Sequence, residues 1–365
     1  MQLDLYPSLE QRVERFRSFY RQENQRPLLG FFLGSEYPLF RYEAAESLPE
    51  DRPLKPSDFP IGKYVEDSER LFSEHEECGG DFIWTASAFW GIPWLEAALG
   101  CPIIANHHTG SIITHPPENF RGAGSLPEFD ERNPWISKLN EFITSLAEQS
   151  GGRWPIGTTR LRGISDLLAA LYGGEQFVWA LMDSPDEVSE VSTRLTDFWI
   201  AIGLLQIRKI PPFHGGIGSF YYNMWAPRGT IWHQEDASAL LSPALYERFI
   251  RPYDEQIIQA FSGCIMHQHS VGYVPVEAYL ETDLIALEMH IDQGGPSAED
   301  LYPVHTKILC KKPLLIWGDL TEDDLDWVFS ELPPCGLAVC KVVRNQREAH
   351  DIYRKYVLEG SYSRA

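Results

Sequence analysis

The stretch GCIMHQHSVGYVPVEAYLETDLIALEMHI, residues 263–291, alternates between two kinds of periodicity. GCIMHQH has the length and apolar character of a buried strand, VEAYL carries helical spacing, and LIALEMHI is strand-like again. Two strands joined through a helix pair in parallel, because only a long crossover returns the chain to the same edge.

The same rhythm runs through the rest of the chain. Toward the C-terminus it continues as a helix over 298–309, the strand PLLIWG, a helix opened by LTEDDL, the strand LAVCKVV and a last helix over 345–358. Toward the N-terminus, residues 8–24 have the spacing of an amphipathic helix, and RPLLGFFLG (26–34) is a buried strand. A loop rich in Pro, Glu and Asp then runs from Tyr37 to Gly62, of the kind that forms a lid or wall. Between these come a helix over 63–78, the strand DFIWTASAFW, the helix IPWLEAALG, a helix over 134–150, the strand RWPIGTT and the helix ISDLLAALYG. A helix over 185–209, a strand around GIGSFYY and a helix from Ser242 to Ala260 complete the series.

About eight strand and helix units follow one another without a Gly/Ser linker or a shift in composition. The expectation is one α/β domain over residues 1–365, a closed (β/α)8 TIM barrel with an N-terminal helical and loop extension. No GxGxxG follows the first strand, which argues against a dinucleotide-binding sheet. Functional groups are expected at the carboxyl ends of the strands.

Composition narrows the function. With 44% hydrophobic and 13% aromatic residues the chain has ample material for a core. A formal charge of −21 opposes binding to nucleic acid and to an anionic membrane surface. The opening MQLDLYPSLEQRVERFRSFY has no apolar core of the secretory kind, and no apolar stretch is long enough to span a bilayer, so a cytoplasmic location is expected. Cys78, Cys101, Cys264, Cys310, Cys335 and Cys340 are scattered without CxxC spacing, as in a reduced protein.

His267 and His269 are two apart in an extended segment, so their rings project to the same side and can meet at one metal ion or one substrate. The plain alternative is that one ring packs in the core while the other binds a substrate oxygen. Glu288 lies within an apolar strand, where an unpaired carboxylate is costly to bury. His290 and Asp292 share its side and make a polar wall. Cys340 is a thiol available to a metal, or a small buried hydrophobe.

HQEDASALLSP (233–243) brings His233, Glu235 and Asp236 just before a helix start, where Asp236 is the candidate for substrate contact or proton transfer and helix capping is the plain alternative. SFYYNMWAP (219–227) supplies Tyr221, Tyr222 and Trp225 as a pocket wall, with Trp84, Phe89, Trp90 and Trp94 as a second aromatic group. Arg160 and Arg162 in TTRLRGISD share a face and suit a substrate carboxylate, or pair with Asp166.

Taken as a set, DFIWTASAFWGIPWLEAALGCPI, RLRGISDLLAALYGGEQF, HQEDASALLSPALYERFIRPYDEQI, HQHSVGY, IDQGGPS and KPLLIWGDLT resemble the uroporphyrinogen decarboxylase-like superfamily over about residues 8–358. The resemblance implies a TIM barrel and two reactions. One branch decarboxylates tetrapyrroles with an arginine-rich N-terminal segment; here RPLLGFFLGSEYPLFRY has only Glu36 and Arg41 as charged groups after Arg26. The other branch consists of zinc methyltransferases that act on methylated corrinoids or coenzyme M, with ligands from a His-x-Cys motif, often a Glu, and a later Cys.

Carried onto this chain, the zinc methyltransferase pattern implies ligands His267, His269, Glu288 and Cys340, with His in place of the first Cys. That exchange makes the site harder and admits oxygen as well as sulfur chemistry. A second alignment, with His269 on the family histidine and Val271 on the cysteine, has no metal. The implied activity is methyl transfer between a small-molecule substrate or thiol and a corrinoid carried by a partner protein, with zinc as cofactor and His269, Asp236 and Glu288 as reacting groups. Decarboxylation of a small acid through His269, Asp236 and Arg162 is the alternative, and a non-catalytic corrinoid or tetrapyrrole binder is the third reading. A homodimer is the remaining partner expected.

Overall fold

The computed structural model describes residues 7–219 and 222–360. In chain order the strands are β1 (Leu28–Leu33), the hairpin β2 and β3 (Ile103–Asn106, Ser111–Thr114) and the hairpin β4 and β5 (Gly216–Ser219, Met224–Pro227). They continue as β6 (Thr230–Gln234), β7 (Gly263–His269), β8 (Ala286–Ile291), β9 (Leu314–Gly318) and β10 (Leu337–Val343). Six of them pair in parallel in the order β1-β10-β9-β8-β7-β6. Their apolar residues are buried on both faces, as a sheet covered by crossover helices requires.

The helices follow their local signals. The helix Pro134–Ser150 opens where the Asn133 side chain accepts from Trp135 N, carries Pro134 in its first turn, and ends at Gly151 with φ 52°. The stretch expected as one helix from Ser242 to Ala260 is two, Pro243–Phe249 and Arg251–Gln259, broken at Ile250 because Pro252 cannot continue the first. The helix expected over 298–309 starts at Tyr302, and the last helix, Gln346–Tyr353, widens into a π turn at Arg354–Leu358. The loop from Tyr37 to Gly62 contains the short helix Pro38–Arg41 and two 3-10 turns.

A closed ladder of eight strands is not formed among the described residues. The gap between β1 and β6 is crossed by residues 81–88 and 154–162, the segments expected as strands from DFIWTASAFW and RWPIGTT, and they touch through single bonds. Asp81 N donates to Leu29 O at 2.8 Å, Ala86 N to Pro155 O at 3.1 Å and Gly157 N to Ala86 O at 2.8 Å, while Arg162 makes one parallel bridge to Gln234. Pro155 has no N–H to give to a ladder, which shortens the pairing.

Of GIGSFYY, the described part Gly216–Ser219 is the first arm of an antiparallel hairpin that meets the wall through one parallel bridge, Gly157 to Gly218, and the strand that joins the laddered sheet is β6, the TIWHQ segment that follows the Gly229 turn. The hairpin of β2 and β3 interrupts the run after IPWLEAALG. The buried apolar cluster runs without division from Val13 to Val357. No helix among the described residues is long and apolar enough to cross a membrane.

Candidate active site

The sheet register sets the site. Gln234 of β6 stands opposite His267 of β7, which stands opposite Glu288 of β8, and one row further along His269 stands opposite His290. Side chains two apart share a face, so His267 and His269 project together at the carboxyl end of β7. They border a cavity of about 220 Å³ whose wall also holds Glu36, Trp90, Arg160, Tyr222, Gln234, Asp236, His290 and Asp292.

The turn after β6 brings Asp236 to the histidines. Its Oδ1 lies 3.6 Å from His267 Nε2 and 3.9 Å from His269 Nε2. The other oxygen, Oδ2, accepts from Gln234 Nε2 at 2.7 Å, whereas Oδ1 is buried and accepts no hydrogen bond. One ligand atom from each of Asp236, His267 and His269 fits within 4.8 Å of the others, a spacing that a single ion can bridge. An orphaned buried carboxylate oxygen facing two imidazoles is what a cation would complete.

The outer nitrogens of both rings are held by carboxylates. His267 Nδ1 is hydrogen-bonded to Glu288 and lies 3.1 Å from the Tyr222 hydroxyl, which turns Nε2 toward Asp236. Burial pushes the Glu288 carboxyl up and the His267 ring down to about 3, so His267 is neutral at physiological pH. His269 Nδ1 meets Asp292 Oδ1 at 2.6 Å. Burial opposes charge on that ring, but the Asp292 bond and the charge of Asp236 prevail and raise it to about 9.

The ligand set expected from the sequence is therefore divided. His267 and His269 converge with Asp236, while Glu288 stands behind His267 on the far nitrogen. Cys340 is fully buried on β10, paired with Trp317 of β9, and does not join any cluster of possible metal ligands among the described residues. The Trp317 ring, edge-on to His290 at 4.8 Å and to Tyr222 at 4.7 Å, occupies the intervening strand.

The other expected residues also separate. Arg160 lines the cavity with its guanidinium 5.9 Å from the Trp90 ring. Arg162 is turned away and pairs with buried Glu96 at 3.3 Å. Tyr222 is in the wall, against Trp232 at 4.4 Å. Trp225 is elsewhere: its indole donates to Phe213 O at 2.9 Å and its ring lies beneath Arg17. Tyr221 lies outside the described residues.

Gln234 and Glu36 were not among the expected site residues. Gln234 is the last residue of β6, and the 3-10 turn that starts at Asp236 folds back so that the Gln234 amide reaches the Asp236 carboxylate. Glu36 follows β1, and burial together with the charges of Asp319 and Asp292 pushes its carboxyl up.

A second cluster lies deeper. His233 Nε2 meets Asp254 Oδ1 at 2.8 Å and Glu235 Oε1 at 3.5 Å, all three buried. Glu235 is also an acceptor for Ile164 N at 2.6 Å, Ser165 N at 2.8 Å and the Ser165 hydroxyl. These three donors make it the cap of the helix Ile164–Tyr172 rather than an open ligand.

The fold has a solved counterpart. Over 94% of this chain and 99% of the other, it is similar to a methyltransferase from Methanosarcina mazei, with a TM-score of 0.62 and 15% sequence identity. A GH26 beta-mannanase from Bacteroides ovatus aligns at 12% identity over 97% of this chain and 93% of its own, but the TM-score of 0.32 is too low to argue from. No family model and no curated protein matches the sequence. The first likeness establishes a shared fold, and the chemistry rests on the side chains described above.

Proposed function

We propose that this chain is a methyltransferase that moves a methyl group between a small-molecule substrate and a corrinoid presented by a partner protein, with one zinc ion held by Asp236, His267 and His269. The observation that carries this reading is the meeting of Asp236 Oδ1, otherwise unpartnered, with the two histidines at the mouth of the sheet. Three protein ligands that leave a position open toward a cavity are the pattern of a catalytic rather than a structural zinc site. Zinc held there supplies Lewis acidity, which lowers the pKa of a thiol, alcohol or water that meets it.

Each surrounding residue has a task in this reading. Glu288, once ionised beside a cation, would accept from Nδ1 of His267 and hold the tautomer that leaves Nε2 free. Asp292 orients His269 in the same way. Arg160, above Trp90, binds an anionic group of the substrate, while Tyr222 and Trp90 keep water from the reacting end. Residues 81–88 and 154–162 serve as the second and third staves of a barrel.

Cavity size supports methyl transfer over tetrapyrrole decarboxylation. About 220 Å³ is below the usual range for drug-sized ligands and accommodates only a small substrate. A macrocycle with several acidic arms needs more room and more cations than one arginine. The corrinoid therefore approaches from outside, with only its methyl group reaching the cavity.

Elemental analysis of protein purified without chelator tests the metal: about one zinc per chain, reduced in Asp236→Ala and in His267→Ala, is the expected result. Demethylation of methylcobalamin in the presence of small thiols or alcohols, followed by its visible spectrum, tests the reaction. A metal-free wild type that also leaves methylcobalamin intact would end this reading.

A further inference from the structure

The turn that carries Asp236 does not cap itself. In the 3-10 turn Asp236–Leu240 the first two N–H groups, of Asp236 and Ala237, donate to the two oxygens of Asp166, at 3.2 and 3.0 Å. Asp166 lies 70 positions earlier, in the first turn of the helix Ile164–Tyr172. The residue beside Asp236, Glu235, sends its carboxylate the opposite way, onto the first two N–H groups of that same helix. Strand end and helix start thus exchange caps. Gly163, between them, has no room for a side chain, since a Cβ there would strike the Glu235 carboxyl and Gln234 O.

This exchange fixes the backbone of Asp236, and Gln234 fixes one of its oxygens. Apart from the two histidines it faces, at 3.6 and 3.9 Å, nothing else among the described contacts bears on where Oδ1 points. We infer that Asp166 is a positioning residue, which through the reciprocal caps between the 236–240 turn and the 164–172 helix aims Asp236 Oδ1 at His267 and His269. The inference rests on the metal reading of Asp236 and adds a residue that touches neither histidine.

Cobalt(II) binding to the full-length chain, freed of metal by chelator, tests this. Uptake is read by ligand-field absorption and by competition with a chromophoric chelator. Asp166→Ala is expected to weaken cobalt binding by about ten- to hundredfold, the range for groups that orient a ligand, and to shift the spectrum toward that of Asp236→Ala. In the Asp236→Ala background, Asp166→Ala should cost nothing further, since it acts only through that carboxylate. Should Asp166→Ala not fold, Asp166→Asn keeps one acceptor oxygen and is expected to show a smaller loss in the same direction. Unchanged affinity and spectrum, or an equal loss with and without Asp236, would overturn the inference while leaving the metal site in place. A wild type that takes up no cobalt would overturn the metal site and this inference together.

Discussion

Gln234 donates from Nε2 to Asp236 Oδ2 at 2.7 Å, and by holding that oxygen it leaves Oδ1 to face His267 and His269. On the proposed metal reading, this leaves one carboxylate oxygen for the cation. Replacing Gln234 with Leu removes the restraint with little change in volume. Zinc affinity, measured by chelator competition, should fall severalfold with the fold intact; no change would mean that the caps on the backbone suffice.

Glu288→Gln keeps the shape at His267 but removes the acid that would ionise to accept its Nδ1 proton when a cation binds. Zinc affinity should drop by about 10–100-fold, with Tm close to the wild type. Equal affinity would show that Tyr222 alone orients the ring.

Cys340→Ala separates two ligand sets. If zinc rests on Asp236, His267 and His269, this variant keeps its full metal content and loses only packing, about 1 kcal/mol by urea denaturation. Loss of zinc would return Cys340 to the coordination sphere. Burial holds its thiol protonated, well above the ordinary range, which favours the packing role.

His269 gives the site a pH dependence with a definite sign. In the metal-free fold its pKa is raised from 6.5 to about 9, so the stabilisation it lends is full below 6.5 and is lost as pH climbs through 9. Metal binding runs the other way, because the cation must displace the ring proton. Zinc affinity should rise by about tenfold per pH unit toward 9 and then level. Competition titrations from pH 6.5 upward check this, and a flat profile would mean that no proton is released.

Gly163→Ala attacks the exchange of caps directly. Its Cβ would meet the backbone carbonyl of Gln234 and the Glu235 carboxyl, which three donors at the start of the helix hold in place. A loss of about 1–3 kcal/mol by urea denaturation, accompanied by weaker zinc binding, is expected.

Elements with complete local signals are legible in the sequence. The helix Pro134–Ser150 is bracketed by Asn133 and Gly151, and β7 and β8 are apolar runs long enough to identify unaided. Strand β6 has five residues and follows a hairpin of similar composition, so its place in the wall is decided by pairing with β7, which local sequence does not contain. In the site, the i,i+2 spacing of His267 and His269 foretells convergence. The third member of the cluster depends on Asp166 and on register with β6, both set by tertiary structure. Trp225 shows the reverse error: an aromatic beside Tyr222 in sequence that packs instead beneath the first helix.

The uneven bonding around the wall divides the molecule by opening free energy. Asp236, His267, His269 and Glu288 belong to the fully laddered side, whereas Trp90 and Arg160 belong to the arc held by single bonds. Segments with few backbone bonds open first, as separate cooperative units. Amides of residues 81–88 and 154–162 should therefore exchange with solvent sooner than those of β7 and β8. On the proposed reading, the segments that carry Trp90 and Arg160 can loosen while Asp236, His267 and His269 stay in register, so the groups that would select a substrate can change without disturbing those that would hold the metal.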